Sequence, residues 1–295
     1  MSVDLSKLPA PAVVEALDFE TILAEMVADL KARDVTFDAT VESDPAYKVL
    51  ETAAYRELGL RQRVNDAAKA LMLAFATGTD LDQLAALQDV QRLLLSAGDP
   101  DAVPPIDPTY EKDDRLLERT QLAPESQSTA GPTGAYEFHA LSADAKVLDV
   151  DIASPAAVQV VVTVLSTEGD GVPDQALLDA VEAALADDKK VRPLTDQVTV
   201  QAATIIDYSI DATLIVYPGP DSEVIRQAAY DAAVAYAAAC HRLGYDVTFS
   251  GLYAALHKPG VQKVVLTSPA ADKVAANNEA TYCTGVVVAI GGVDE

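Results

Sequence analysis

The chain has 295 residues, with 21 Lys+Arg against 46 Asp+Glu and a formal net charge of −25. Half of it is hydrophobic (50%), which excludes disorder throughout, because disorder combines high charge with few apolar residues. A surface this negative repels phosphate backbones and argues against nucleic acid as a partner; its plainest use is to keep free subunits apart.

The opening, MSVDLSKLPAPAVVEALDFE, lacks the basic start and apolar run of a secretory signal. Asp18 stands as the N-cap of a helix, DFETILAEMVADLKARD, in which Phe19, Ile22, Leu23, Met26, Val27 and Leu30 make one apolar stripe.

Residues 44–78 read as a second, much longer helix. Asp44 caps it, and Pro45 takes the first helical position, where its missing N–H costs nothing. Leu50, Ala54, Leu60, Val64, Ala68, Leu71 and Phe75 follow a period near ~3.6, and Gly78 offers a left-handed stop. At 1.5 Å per residue this helix would span about 50 Å, well beyond the usual three turns. A helix of that length projects past its own domain or packs on a partner. Gly59 inside it marks a close contact or a slight bend.

This helix is also basic in an acidic chain. Arg56, Arg61, Arg63 and Lys69 oppose only Glu57 and Asp66 over 55–70. Three readings stand: a solvated face with local ion pairs, a protein–protein contact, or nucleic acid. Arginine is enriched at protein interfaces because its planar fork makes several bonds at once. No aromatic residues interleave with the arginines as stacking platforms would for single-stranded nucleic acid. Arg56, Arg61, Arg63, Asn65 and Lys69 are therefore the candidate protein-interface residues.

A third helix starts in TGTDLDQLAALQDVQR, with Asp80 as cap, Gln83 completing a capping box, and Leu81, Leu84 and Leu87 as its apolar side. The Pro- and Gly-rich run 96–109 has no period and reads as a linker near a domain boundary. A short amphipathic helix is expected in KDDRLLERTQLA, then a loop, then a helix over 133–141. From Val147 the period changes. KVLDVDIAS and AVQVVVTVLS read as strands, the second so apolar that it should be central. A turn and helix follow in EGDGVPDQALLDAVEAALADDK, then the alternating strand DQVTVQAA. A second strand–helix–strand unit runs through DYSIDATLIVY, a helix over 221–244, a short helix in FSGLYAALHKPG, and the strands VQKVVLTS and GVVVAIGG. The succession hints at duplication, with little residue identity. The fold class is α+β: an N-terminal long-helix region followed by two small mixed α/β domains of strand–helix–strand units. The expected divisions are 1–95, 96–205 and 206–295.

Chemistry is sparse. His139, His241 and His257 stand in no metal spacing, and Cys240 and Cys283 form neither a disulfide framework nor a metal knuckle. His241 follows Cys240 directly, so on a helix the two point to different faces. STEGDGVPD lies between a strand and a helix as phosphate loops do, but it matches no phosphate-loop pattern and carries Glu168 and Asp170 where a phosphate would lie; it reads as a tight turn. GTDLD lacks the remaining ligands of a calcium loop. No run reaches the ~18 apolar residues of a membrane span. The expectation is no catalytic residue, no metal and no cofactor. A hydrolase built on dispersed carboxylates is the alternative, although a chain with no Trp and 5% aromatics suits sugar binding poorly.

Two long stretches carry a resemblance. DPAYKVLETAAYRELGLRQRVNDAAKALMLAFATGTDLDQLAAL and STAGPTGAYEFHALSADAKVLDVDIASPAAVQVVVTVLSTEGDGVPDQALLDAV resemble, in that order, the baseplate J-like family of contractile phage tails and tailocins. With the C-terminal α/β region they cover most of the chain; 93–113 departs from the pattern. The resemblance implies a non-enzymatic structural protein of six wedges around a tail tube. It implies a second wedge protein, the sheath-initiator protein and neighbouring copies as partners, without nucleic acid or membrane. The N-terminal helices would bundle with neighbours and the α/β domains would link wedges. Assembly would take place in bacterial cytoplasm, and the product would sit in a virion or tailocin baseplate that widens as the sheath contracts. A general adaptor module outside phage tails is a further alternative.

Overall fold

The computed structural model describes residues 5–9, 11, 13–36, 42–128, 130–186, 191–219 and 221–294. The chain divides into two compact units, one of Met1–Gln91 with Lys112–Gln121, the other of Arg92–Glu111 with Leu122–Glu295.

In the first unit, α1 spans Phe19–Arg33. Asp18 caps it as expected, accepting from the Thr21 hydroxyl at 2.7 Å and the Thr21 N–H at 2.8 Å. Those two bonds stabilise the carboxylate and hold its pKa below the usual 3.8. The α1 stripe packs on α2 (Pro45–Ala70): Ile22, Leu23 and Ala54 are buried, with Phe19, Met26, Tyr47 and Leu50 around them. Ala54, without bulk, lets the two helices approach.

Asp44 caps α2 through the Ala46 N–H at 2.7 Å, with Pro45 in its first turn. The helix is shorter than its apolar period suggests. It has 26 residues, or about 39 Å, and stops before Leu71. The next residues are turns: Met72 N–H bonds to Lys69 O, and Phe75 N–H to Met72 O. Leu71 and Phe75 keep the helical spacing without the helix, because periodicity counts side chains and not backbone bonds. Gly78 is left-handed (φ +54°), yet it opens α3 (Gly78–Ala86) and does not close α2. Its N–H is taken by Asp113 Oδ2 at 2.9 Å. The N-cap of α3 is Thr77, with no side-chain bond, and Asp80 lies inside the first turn, so the expected Asp80–Gln83 box does not form. The buried residues of α3 are Leu81 and Ala85, four apart, while Leu87 is exposed. α4 (Asp113–Leu122) buries Leu116 and Arg119, and Arg119 Nη1 donates to Gln91 O at 3.2 Å.

In the second unit, the run 96–109 is not a linker. It is the outer part of an arm whose strands β1 (Leu94–Ser96) and β2 (Thr109–Tyr110) pair antiparallel, with a further bridge between Asp99 and Ile106. Glu111 fastens the base of the arm, its Oε1 accepting from Leu93 N–H at 2.9 Å and its carbonyl from Arg92 Nη1 at 2.8 Å.

α5 (Thr133–Leu141) lies where expected, against a three-stranded sheet of β3 (Val147–Ala153), β4 (Gln159–Ser166) and β5 (Gln197–Ala202). β4 is central, antiparallel to β3 and parallel to β5 across α6 (Gln175–Leu185). The STEGDGVPD segment is the tight turn the sequence suggests: Ser166 N–H reaches back to Gly171 O at 2.7 Å, and Asp174 caps α6. The last sheet has the order β7–β6–β8, from β6 (Thr204–Val216), β7 (Val261–Ser268) and β8 (Glu279–Val293). α7 (Ser222–Cys240) and α8 (Phe249–Leu256) cover one of its faces. α7 stops at Cys240, short of Gly244, and β8 begins earlier than its apolar run predicts. In both sheets the central strand has one antiparallel and one parallel neighbour. The antiparallel neighbour precedes the central strand in the first sheet and follows the helices in the second, so the connectivity is not a simple repeat. The class is α+β.

One residue, Ala203, separates β5 from β6. Its N–H bonds to Val164 O at 2.9 Å, and that of Thr204 to Asn278 O at 3.1 Å. Leu165, Ala203, Leu243 and Ala280 form a small core where the two sheets meet. Gly171 is needed there: its φ is +101°, and a Cβ would come within 2.7 Å of Leu165 and 3.0 Å of the His241 ring.

Candidate interaction surface

α2 buries one side and leaves the other bare. Among its residues only Ala54 and Asn65 are fully buried. Arg56, Leu60, Arg63, Val64 and Ala67 recur at spacings of three and four, so they share the opposite face. All five are exposed, Leu60 to 67% and Val64 to 62%. Gly59 lies on that bare side, and apart from its own helix nothing among the described residues is within 4 Å of where its Cβ would stand. A glycine inside a helix costs roughly 1 kcal/mol against alanine, and no contact among the described residues requires it.

The five candidate residues of α2 separate into distinct environments. Arg56 and Arg63 point outward, and neither has an ion-pair or hydrogen-bond partner among the described residues. Arg61 is engaged: its Nη2 lies 2.5 Å from Glu57 Oε1 and its Nη1 3.6 Å from Glu15. The Glu57 carboxylate, by hydrogen bond and by charge, raises the Arg61 pKa further. Asn65 faces inward, 4% exposed, with its amide bonded to the backbone of Glu15. It does not offer its side chain to a neighbour; an Asn at a core-side helical position with a backbone loop opposite would have pointed to this. Lys69 is half-buried in the last turn. The bare face is therefore two free arginines set among Leu60, Val64 and Ala67. A rim of charge around an apolar strip is the pattern of a protein-binding face.

Elsewhere titratable groups serve the fold. His241 Nδ1 lies 2.7 Å from Thr281 O, so it carries the hydrogen and donates. Tyr136 OH donates to Asp196 Oδ2 at 2.6 Å, and burial followed by that bond raises the phenol pKa. Glu182 and Asp196 share the wall of one groove, where Asp196 is engaged by Tyr136. Asp151 is raised by burial. No group of His, Cys, Asp and Glu among the described residues could hold a metal ion. No helix among them is long and apolar enough to cross a membrane.

Comparison with known proteins places these elements. The Baseplate J-like N-terminal domain matches over residues 42–99, which contain α2 and α3. The Baseplate J-like central domain matches over 128–202, and the Baseplate J-like protein C-terminal domain over 208–289. Baseplate protein J of Escherichia phage P2 is 47% identical over 300 residues, covering 99% of this chain and 99% of that protein. A chain in the cryo-EM structure of the anti-feeding prophage (AFP) baseplate, 6-fold symmetrised, is similar at 17% identity and a TM-score of 0.44, over 61% of this chain and 44% of that chain.

Proposed function

Since this chain belongs to the baseplate J-like family, we propose that it is a structural protein of a contractile-tail baseplate. In this reading it is a wedge component in a ring around the tail tube, and it passes the opening of the ring on to the contracting sheath. It carries out no catalysis. It pairs with a second wedge protein, with the sheath-initiator protein and with its own neighbours in a six-fold ring. It assembles in bacterial cytoplasm and ends in the baseplate of a phage or tailocin.

The observation that carries this reading is the bare face of α2. Arg56 and Arg63 stand free on it beside Leu60 and Val64. A monomer gains nothing from exposing such a strip, whereas a helix packed against it would bury the apolar residues and satisfy the guanidinium groups. Gly59 would let that helix approach closely.

Co-expression with the tail proteins encoded beside it tests the reading. The chain should co-elute with at least one of them as a complex of defined size. A chain that stays monomeric in the presence of every one of them overturns it.

A further inference from the structure

The two edges of the last sheet are unlike. β7 carries Lys263 and is followed by Pro269, both of which discourage a further strand. β8 reads GVVVAIGGV from Gly285 to its end, with no charge and no proline. At its start the outer side of β8 is bridged by Leu243 at Ala280, and from Gly285 onward no strand among the described residues pairs with it. An edge so unguarded is a template for another strand.

A groove runs beside this edge. α7 lies along β8 in the opposite direction: Arg226, early in α7, reaches Val288 O, and Cys240, at its end, accepts from the Thr281 hydroxyl. Between these contacts a groove of about 280 Å³ opens, lined by Val234, Ala238, His241, Tyr282, Cys283 and Val286. Val234 is 41% exposed within it. One turn up the same face of α7 is Asp231, exposed and negative. Arg226 is held to Glu223 by bonds of 2.6 and 3.0 Å, whereas its contact with Val288 O is 3.4 Å. That long contact is readily exchanged for an incoming backbone N–H.

We propose that the β8 edge from Gly285 onward takes up an extended segment of a partner protein as a fourth strand, with one of its apolar side chains seated in the α7–β8 groove. The main chain supplies the pairing and the groove supplies selectivity, as in other strand-addition sites. The occupant is a partner and not a second copy. Asp231 at the rim favours lysine or arginine beside the seated residue, and the same edge of a second copy offers neither, because GVVVAIGGV carries no charge. The site lies on a different unit from α2 and does not rest on the reading of that helix.

The probe is a pool of ten-residue peptides with Val, Ile or Leu at alternate positions and Lys at both ends, added to the full free chain. Hydrogen–deuterium exchange is followed over residues 285–293. The fast-exchanging half of those amides should slow about tenfold or more, while β7 amides do not change. Ala238→Glu, at an exposed helix position, should leave circular dichroism unchanged and abolish the slowing. Asp231→Lys should weaken it. No slowing at saturating pool, or equal slowing in both variants, overturns the proposal. Because the free chain is used, that failure is distinct from a failure to enter a baseplate complex.

Discussion

Asn65 holds both polar backbone groups of Glu15: its Oδ1 accepts the Glu15 N–H at 3.0 Å and its Nδ2 donates to the Glu15 carbonyl at 2.9 Å. One side-chain amide thus fixes the segment before α1 to the C-terminal part of α2, fifty positions away (|i−j|=50). Asn65→Ala leaves a donor and an acceptor without partners at a site where Asn65 itself is 4% exposed. The expected loss is about 1–3 kcal/mol, read as a lower urea midpoint. Asn65→Asp loses the donor and sets a buried carboxylate against the Glu15 carbonyl, so it should cost at least as much as Asn65→Ala.

The arginines of α2 should separate in a mutational test. Arg56→Glu with Arg63→Glu changes only free, exposed groups, and stability should stay within about 0.5 kcal/mol. Binding to neighbouring tail proteins should fall sharply, as measured by co-elution. Arg61→Glu instead breaks the bonds to Glu57 and Glu15 and places like charges together. It should lower the melting temperature of the first unit and affect assembly less. Equal assembly by the double variant would make the bare face merely solvated.

Leu60→Ser should have the same signature through a different force. Leu60 is 67% exposed, so the free chain loses little. A complex that buries it would lose about 1.5–3 kcal/mol, the value of a fully buried leucine. Isothermal titration against the co-eluting partner reads the difference.

Two phenols should set an alkaline limit. Burial raises the pKa of Tyr136 and Tyr208 above the ordinary 10.0, with the Asp196 bond adding to it at Tyr136. The folded state keeps these protons while the unfolded state releases them, so above pH 10 unfolding lowers the number of bound protons. Their stabilisation is complete below pH 10 and is lost as pH rises toward the folded values. Difference absorbance should show two tyrosines that ionise only on unfolding. Tyr136→Phe should leave one and shift the alkaline midpoint upward.

Several elements were legible because their causes are local. Asp18 and Asp44 sit at helix starts where an acceptor meets free N–H groups, and Val160, Val162 and Val164 alternate along β4 because that face packs under α5 and α6. Other features depend on distant residues. The end of α2 is set by turns after Lys69 and not by any breaker, and Gly78 serves the next helix through Asp113. The Pro-rich run 96–109 is an arm because Glu111 and Leu93 meet across it. Asn65 looked like part of a polar face until Glu15 was beside it. In each case the deciding partner lies outside the window that a periodic pattern samples.

The two cysteines should differ in reactivity. Cys240 is buried, and burial raises its thiol pKa above the usual 9.0. Cys283 is half-buried at the groove. At neutral pH a maleimide should label Cys283 first, with Cys240 reacting only when the chain is unfolded. Cys283→Ser should abolish the fast phase.

The single residue between β5 and β6 also has a mechanical consequence. A pull on one sheet along its strand enters the next through Ala203 with no slack to take up. β5 is tied to β4, and β6 to β8, by parallel ladders with bonds across the line of pull. Such ladders are loaded in shear, all bonds together, and do not open one at a time. Between the two sheets the chain is a short tie, and a pull along β5 loads β6 without first drawing out a loop.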